Sequence, residues 1–274
     1  MKMQQHIITY KKSFINVLLF GTGPKWLICL HGYGENGYSF RVFEKTLGNE
    51  YTLVAIDLPF HGETEWNEGL LMTPNDLMNI LNMIIQQNKK VKDKPSKFSV
   101  LAFSLGGRVA LHMLQSTPAE IEKMVLIAPD GLHKNFWYWL GTQTLLGNKL
   151  FAYTMKRPYW FFKLTQLAYK IRLLNKSIIR FVHYYLDDEK ERSLLYQRWT
   201  TMRRFKPNLN AIAGTINNYQ IPVRFLFGSY DRIILSKRSN FFKTSKHVKI
   251  RIINAGHQLL KEKFAKDIAL LFSQ

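Results

Sequence analysis

The sequence predicts an α/β domain: a mostly parallel, twisted sheet covered by helices on both faces, with a helical segment inserted into it. Three observations lead there. Short, wholly apolar runs alternate with stretches of helical spacing, the pattern of parallel strands buried on both faces. Several of these runs end at turns carrying Gly, Asp, Ser or His, where open α/β sheets place their ligands. Between residues 130 and 206 the alternation stops, and the chain turns helical, aromatic and basic.

Residues 6–10 and 13–20 read as two strands joined by a short turn at Lys11-Lys12. Gly21-Thr22-Gly23-Pro24 breaks the pattern. Residues 26–30 form a buried strand ending at His31-Gly32-Tyr33-Gly34, and residues 39–47 have helical spacing. Residues 51–56 are another buried strand, ending at Asp57-Leu58-Pro59-Phe60-His61-Gly62. Thr73-Pro74-Asn75-Asp76 starts a helix: Thr73 caps, Pro74 takes the first helical position, and an acid follows three residues after the cap. Leu77, Leu81, Ile84 and Ile85 give it an apolar face, and it runs into a lysine-rich stretch ending near Pro95. Strands follow at 98–101 and 124–128, with a helix at 108–115 between them. After the inserted segment come strands at 223–227 and 248–253 and a closing amphipathic helix at 261–272. The expected division is a core of residues 1–129 and 207–274 and a helical cap of residues 130–206.

With 274 residues the chain is long enough to bury a substantial core. Its single cysteine, Cys29, sits in an apolar run and reads as a small core residue. One cysteine excludes an internal disulfide and fits a reducing compartment. The N-terminus is polar, the apolar run at 15–20 is too short for a signal peptide, and no run reaches the roughly 18 residues of a membrane span. A cytoplasmic protein is therefore expected. The formal charge of +20 favours anions in general. Residues 131–206 hold 15 Lys and Arg against 4 Asp and Glu, a local net of +11. That segment suggests an apolar or anionic small-molecule substrate. Most of its aromatics are expected to form its own small core, and a few to line a pocket. No helix shows a clean basic face opposite an apolar one, which argues against contact with an anionic membrane; any such contact would be peripheral. No nucleic-acid reader motif occurs, so no specific nucleic-acid binding is expected. No clustered His/Cys/Asp/Glu set suggests a metal, and Gly21-Thr22-Gly23 precedes a strand rather than a helix, so it is no phosphate loop.

The chemistry is carried by Ala102-Phe103-Ser104-Leu105-Gly106-Gly107, a serine between small residues at a strand-to-helix turn. Such a turn exposes a nucleophile. Bulky side chains two positions either side of the serine would clash; Gly106 meets that need fully and Ala102 less well. A serine hydroxyl is a weak nucleophile and needs a histidine base, itself oriented by a carboxylate. Asp231 and His257 each follow a later strand, in the order serine, acid, histidine.

Together these motifs make the chain resemble the α/β-hydrolase superfamily, in the branch with a helical cap after the sixth strand. His31-Gly32-Tyr33-Gly34 is similar to the family's His-Gly segment, and Asp57 to Gly62 to its Asp-x-Pro-x-His-Gly turn. Ser104 matches the elbow serine, Gly228-Ser229-Tyr230-Asp231 the acid turn, and Gly256-His257 the histidine. Ala102 departs from the family's first glycine. The resemblance implies Ser104, Asp231 and His257 as catalytic residues, with the backbone N–H groups of Tyr33 and Leu105 as the oxyanion hole. It further implies that Asp57 and His61 shape a turn, that His31 packs beneath the oxyanion loop, and that Asp130 is the rival acid. His183 reads as structural or solvated. The implied activity is a cofactor-independent serine hydrolase cleaving a small or medium carboxylic ester through an acyl-enzyme. The alternative, from an elbow similar to that of the menaquinone-pathway synthase, is a triad-dependent lyase or C–C bond hydrolase acting on an anionic substrate.

Overall fold

A computed structural model describes residues 3–87, 97–173 and 186–273. The strands are β1 (Gln4–Tyr10), β2 (Ser13–Phe20), β3 (Lys25–Leu30), β4 (Tyr51–Ile56), β5 (Phe98–Phe103), β6 (Ile121–Ile127), β7 (Val223–Gly228) and β8 (Val248–Ile253). They form one eight-stranded sheet in the order β1-β2-β4-β3-β5-β6-β7-β8. The β1–β2 and β2–β4 pairs are antiparallel, and every pair from β4 to β8 is parallel. The expected mostly parallel α/β sheet is thus present.

Position in this order explains the sequence pattern. β3 and β5 are central, and all of β5 is buried, as is β3 apart from Lys25. Such strands read as continuous apolar runs because both faces and both edges are covered. β8 lies at the sheet edge, and none of its residues is fully buried. Cys29 is fully buried in β3, as expected of a small core residue, and burial pushes its thiol well above the ordinary value.

Flanking helices include α1 (Glu44–Leu47), α2 (Pro74–Gln87) and α3 (Leu105–Ser116). The helical spacing at 39–47 resolves into a 3₁₀ segment, Gly37–Phe43, that runs into the single turn of α1. In α2 the expected apolar face is buried through Leu77, Leu81, Ile84 and Ile85. Its lysine-rich continuation at 88–96, and His183, lie outside the described residues. Within Lys134–Arg204 lie α4 (Phe136–Gln143), α5 (Leu145–Lys156), α6 (Tyr159–Lys170) and α7 (Glu189–Thr201). The sequence pattern contains no helix between this segment and β7, yet α8 (Leu209–Tyr219) forms there. Only Ile212 and Ile216 of α8 are buried, one turn apart, so its periodic signal is short. Asn208 caps it by accepting from the Asn210 and Ala211 amides. α9 (Glu262–Ser273) closes the chain.

Two compact units emerge. One holds residues 1–68, 73–133 and 205–274, the other residues 69–72 and 134–204. The smaller unit has its own interior. Tyr138 packs edge-on against Trp199 at 5.3 Å, and Phe151 meets Tyr196 at 5.3 Å and Trp199 at 5.8 Å. Buried Arg192 donates to the carbonyls of Met155, Leu186 and Asp187, tying the start of α7 to the end of α5.

The strand pair at the N-terminus is anchored by Asp76, the acid expected in the first turn of α2. Its carboxylate accepts from Tyr10 Oη at 2.6 Å, Lys11 Nζ at 2.7 Å, and Thr73 N and Oγ1 at 2.8 and 2.6 Å. Burial opposes ionisation, but these four donors outweigh it and hold the carboxyl far below its ordinary value. A depressed carboxyl adds stability above its unfolded pKa of about 3.9, and that stability is lost as pH falls through the folded value. Asp76→Asn should therefore flatten the acid limb of the stability–pH curve and cost about 2 kcal/mol near neutrality, as read by urea unfolding.

Candidate active site

Ser104 joins the end of β5 to the start of α3 with φ 47° and ψ −112°, a left-handed backbone that is strained for a residue with a Cβ. Neighbouring strands hold it there. The Ser104 amide donates to Ile127 O at 3.1 Å and its carbonyl accepts from Asp130 N at 2.8 Å. The Gly106 amide donates to His31 O at 2.9 Å. A Cβ on Gly106 would lie 2.1 Å from Leu30 O, and one on Gly107 2.4 Å from Pro129 Cβ. These contacts explain both glycines: α3 starts so close to β3 and to the turn after β6 that no side chain fits. Ala102 is fully buried in β5, paired with Leu30 and Leu126, and its methyl group is accommodated in the strand.

Asp231 and His257 come from the turns after β7 and β8. His257 Nδ1 lies 2.7 Å from Asp231 Oδ2, and His257 Nε2 lies 3.1 Å from Ser104 Oγ. With Asp231 ionised, Nδ1 carries the proton and Nε2 accepts from the serine hydroxyl. The Asp231 side chain is fully buried, while that of His257 is 18% exposed. Asp231 Oδ1 accepts from the Ile233 and Ile234 amides at 2.8 and 2.9 Å. Burial alone would push the Asp231 carboxyl up; the bonds from His257 and these amides outweigh it and leave the carboxyl below its ordinary value. Gly228 makes the meeting possible, because a Cβ there would lie 2.3 Å from Ala255 O and 2.4 Å from Gly256 O. Phe103 packs against the His257 ring at 5.1 Å.

The His-Gly loop is fixed from below. His31 is fully buried; its Nδ1–H donates to Gly32 O at 2.8 Å, and its Nε2 accepts from Leu58 N at 3.0 Å. Those partners define one neutral tautomer. Gly32 to Glu35 form a turn closed by Glu35 N donating to Gly32 O, with Gly34 at φ 74°. A Cβ on Gly32 would meet the Phe103 ring at 2.7 Å, so this loop lies directly against the elbow. Asp57 takes Gly37 N and Asn16 Nδ2 on its two oxygens, with Glu63 N beside the latter, and Gly62 leaves no room for a side chain beside it. His61 Nδ1 donates to Pro59 O. Asp57 and His61 thus build the turn after β4.

Asp130 does not join the triplet. Its Oδ2 takes the Arg108 Nε–H at 2.8 Å and its Oδ1 takes the Gly131 amide. The Leu105 amide, at the first position of α3, has no partner within the helix. Glu35 was not singled out by the motifs. Its carboxylate accepts from Gln258 Nε2 at 2.6 Å, linking the His-Gly loop to the residue after His257. Burial pushes the Glu35 carboxyl up, against the lowering bond from Gln258. The only sequence signals for it were its place beside Gly34 and a polar residue after His257. Among the described residues no group of His, Cys, Asp and Glu is arranged to hold a metal ion.

A family model described as "alpha/beta hydrolase fold" matches residues 25–264. The chain belongs to the α/β-hydrolase fold family. Within this family, the pimeloyl-[acyl-carrier protein] methyl ester esterase of Vibrio parahaemolyticus serotype O3:K6 is 32% identical over 135 residues. That stretch is 49% of this chain and 47% of the relative. The esterase of the same description from Pseudoalteromonas atlantica is 28% identical over 121 residues, 44% of this chain and 43% of that one. The chain thus spans about half the length of the curated relatives it matches. Among solved α/β hydrolases, an esterase of Thermogutta terrifontis superposes with a TM-score of 0.66 at 15% identity, covering 98% of this chain and 97% of that one. A structure titled as a membrane phospholipase A also gives 0.66, at 16% identity, over 99% and 86%. These two superpositions speak for the shared fold.

Two glycines on the histidine side of the site have opposite surroundings. Gly228→Ala should cost about 1–3 kcal/mol, because the new methyl must push the turns of Asp231 and His257 apart. Gly256→Ala faces open space within 4 Å and should stay within about 0.5 kcal/mol of the parent. Thermal unfolding of the two variants checks both values.

Proposed function

We propose that the chain is a serine hydrolase that cleaves a small or medium carboxylic ester through an acyl-enzyme at Ser104. The observation that carries this reading is the continuous line Asp231 Oδ2, His257, Ser104 Oγ, at 2.7 and 3.1 Å. The names of its curated relatives, methyl ester esterases, support a carboxylic ester as the substrate class.

In this reading Ser104 Oγ attacks the ester carbonyl carbon as His257 Nε2 takes the hydroxyl proton. Asp231 holds the imidazole by Nδ1–H and stabilises the imidazolium that forms. The bond from His257 and the two amide donors keep Asp231 ionised against the cost of burial and hold it fixed, which suits that role. The tetrahedral oxyanion is received by the backbone N–H groups of Tyr33 and Leu105. Support comes from the helix start at Leu105, whose amide and dipole favour negative charge. It comes also from the His31 brace, which fixes the loop bearing Tyr33. A preorganised donor of this kind lowers the barrier by roughly 3–4 kcal/mol. Collapse of the intermediate breaks the ester C–O bond, and His257 returns its proton to the leaving alkoxide. Water then attacks the acyl-Ser104 carbonyl, giving its proton to His257. Release of the carboxylic acid restores the serine hydroxyl. Every step uses the triad side chains, two backbone N–H groups and water.

A fluorophosphonate probe should label the parent protein at Ser104 and leave Ser104→Ala unlabelled. Hydrolysis of p-nitrophenyl esters should fall about ten-thousand-fold in kcat for Asp231→Asn, which offers the wrong hydrogen-bond pattern to Nδ1. An unlabelled parent, or equal labelling of Ser104→Ala, would sink the reading. Pyruvate elimination from an anionic substrate without any ester turnover would replace it with the lyase alternative.

A further inference from the structure

The smaller unit carries an unusual surface. From Gly131 to Leu186 the chain contains no Asp or Glu. Within it, large apolar side chains face outward. Leu145 and Leu146 are 85% and 82% exposed, and Trp137 is 72% exposed. The leucines stand at the start of α5, directly after the Thr144 cap that breaks the chain between α4 and α5. Leu150 and Tyr153 continue that exposed face of α5. In α6 the only buried residue is Thr165, although the helix reads Tyr-Trp-Phe-Phe-Lys-Leu-Thr-Gln-Leu-Ala-Tyr-Lys. Its exposed Trp160, Leu164 and Leu167 recur at helical spacing, and Ile171 follows in register.

Cations stand in the same helices. Lys149 and Lys156 lie on α5, Lys163 and Lys170 on α6, and Arg157 between the helices, all exposed. None pairs with a carboxylate among the described residues. A helix that presents leucine and aromatic rings together with lysine is suited to the interfacial zone of a bilayer. The rings and leucines enter the acyl boundary, while the lysine stems reach back to headgroup phosphates. Anionic headgroups add attraction that falls off within a Debye length. Protruding leucines more than four-fifths exposed gain from a fluid solvent that needs no matching surface, whereas a protein partner must offer a fitted pocket for each.

We propose that the acid-free helices α4, α5 and α6 dock on an anionic lipid membrane, through exposed Leu145, Leu146 and Trp137 and the exposed cations Lys149, Lys163 and Lys170. The surface is peripheral: no described helix is long and apolar enough to cross a bilayer.

Co-sedimentation of the full chain with vesicles tests this. Phosphatidylcholine vesicles containing about one-third phosphatidylglycerol should retain the protein at least about tenfold better than pure phosphatidylcholine at about 0.1 M salt. Raising salt to about 0.5 M should weaken retention. The paired change Leu145→Ser with Leu146→Ser should reduce retention about tenfold, with the melting temperature unchanged. Lys163→Gln with Lys170→Gln should remove most of the preference for anionic vesicles. Tryptophan emission of the unmutated protein should shift to the blue on adding anionic vesicles, a readout that needs no variant. Equal retention on both vesicle types overturns the proposal. So does a leucine variant that is folded and binds like the parent, which would leave charge alone as the cause. A parent dimer that dissociates in the leucine variant, with no vesicle binding, assigns the face to a second copy instead.

Discussion

The site depends on how closely a helix can start beside a strand it does not follow. Ser104 is held at φ 47° because its amide, its carbonyl and the amide two residues on are each claimed by backbone from β6, the turn after β6, or the end of β3. Strain at a single residue costs on the order of 1–3 kcal/mol and persists only where the surroundings over-determine it. Here the surroundings are the carbonyls of Leu30 and His31 and the Pro129 ring, which leave room only for glycine at 106 and 107. The buried centre of the parallel sheet supplies the rigidity that fixes those groups.

The same logic of close approach recurs on the other side of the site. Gly228 lets the turn after β7 touch the turn after β8, and Gly32 lets the His-Gly loop touch Phe103. Three pairs of strand ends are therefore brought together at glycine contacts, and the polar side chains meet as a result. Buried His31 adds a neutral brace from the His-Gly loop to the turn after β4, using both ring nitrogens. Packing thus brings the polar groups of the site together, and hydrogen bonds such as those from Ile233 and Ile234 to Asp231 fix them.

Much of this was legible in the chain. Buried parallel strands announce themselves as apolar runs, and Ser104, Asp231 and His257 each stand just beyond one. A local pattern also revealed the start of α2 at Thr73 and Pro74. Other features were not legible for physical reasons. α8 buries two isoleucines one turn apart, too few to set a period. The bond between Glu35 and Gln258 joins residues far apart in sequence, and nothing local marks either partner. Asp130 and Asp231 both follow strands, and spacing alone does not separate them; Arg108, one turn into α3, occupies Asp130. The aromatic segment divides in a way composition hides. Tyr138, Phe151, Tyr196 and Trp199 pack with one another, while Phe136, Trp137, Trp139 and Tyr159 stay exposed.

The three members of the triplet hang from strands of unequal security. Ser104 follows β5, which has hydrogen-bonded neighbours on both sides, whereas His257 follows β8, which has one. Amide groups at a sheet edge open at a lower free energy than those at its centre. Local fraying of β8 would carry His257 away from Ser104 while the elbow stayed intact. Such an opening would detach the histidine before the core melts, so the opening rate of β8, read by hydrogen exchange, limits how long the triplet stays assembled.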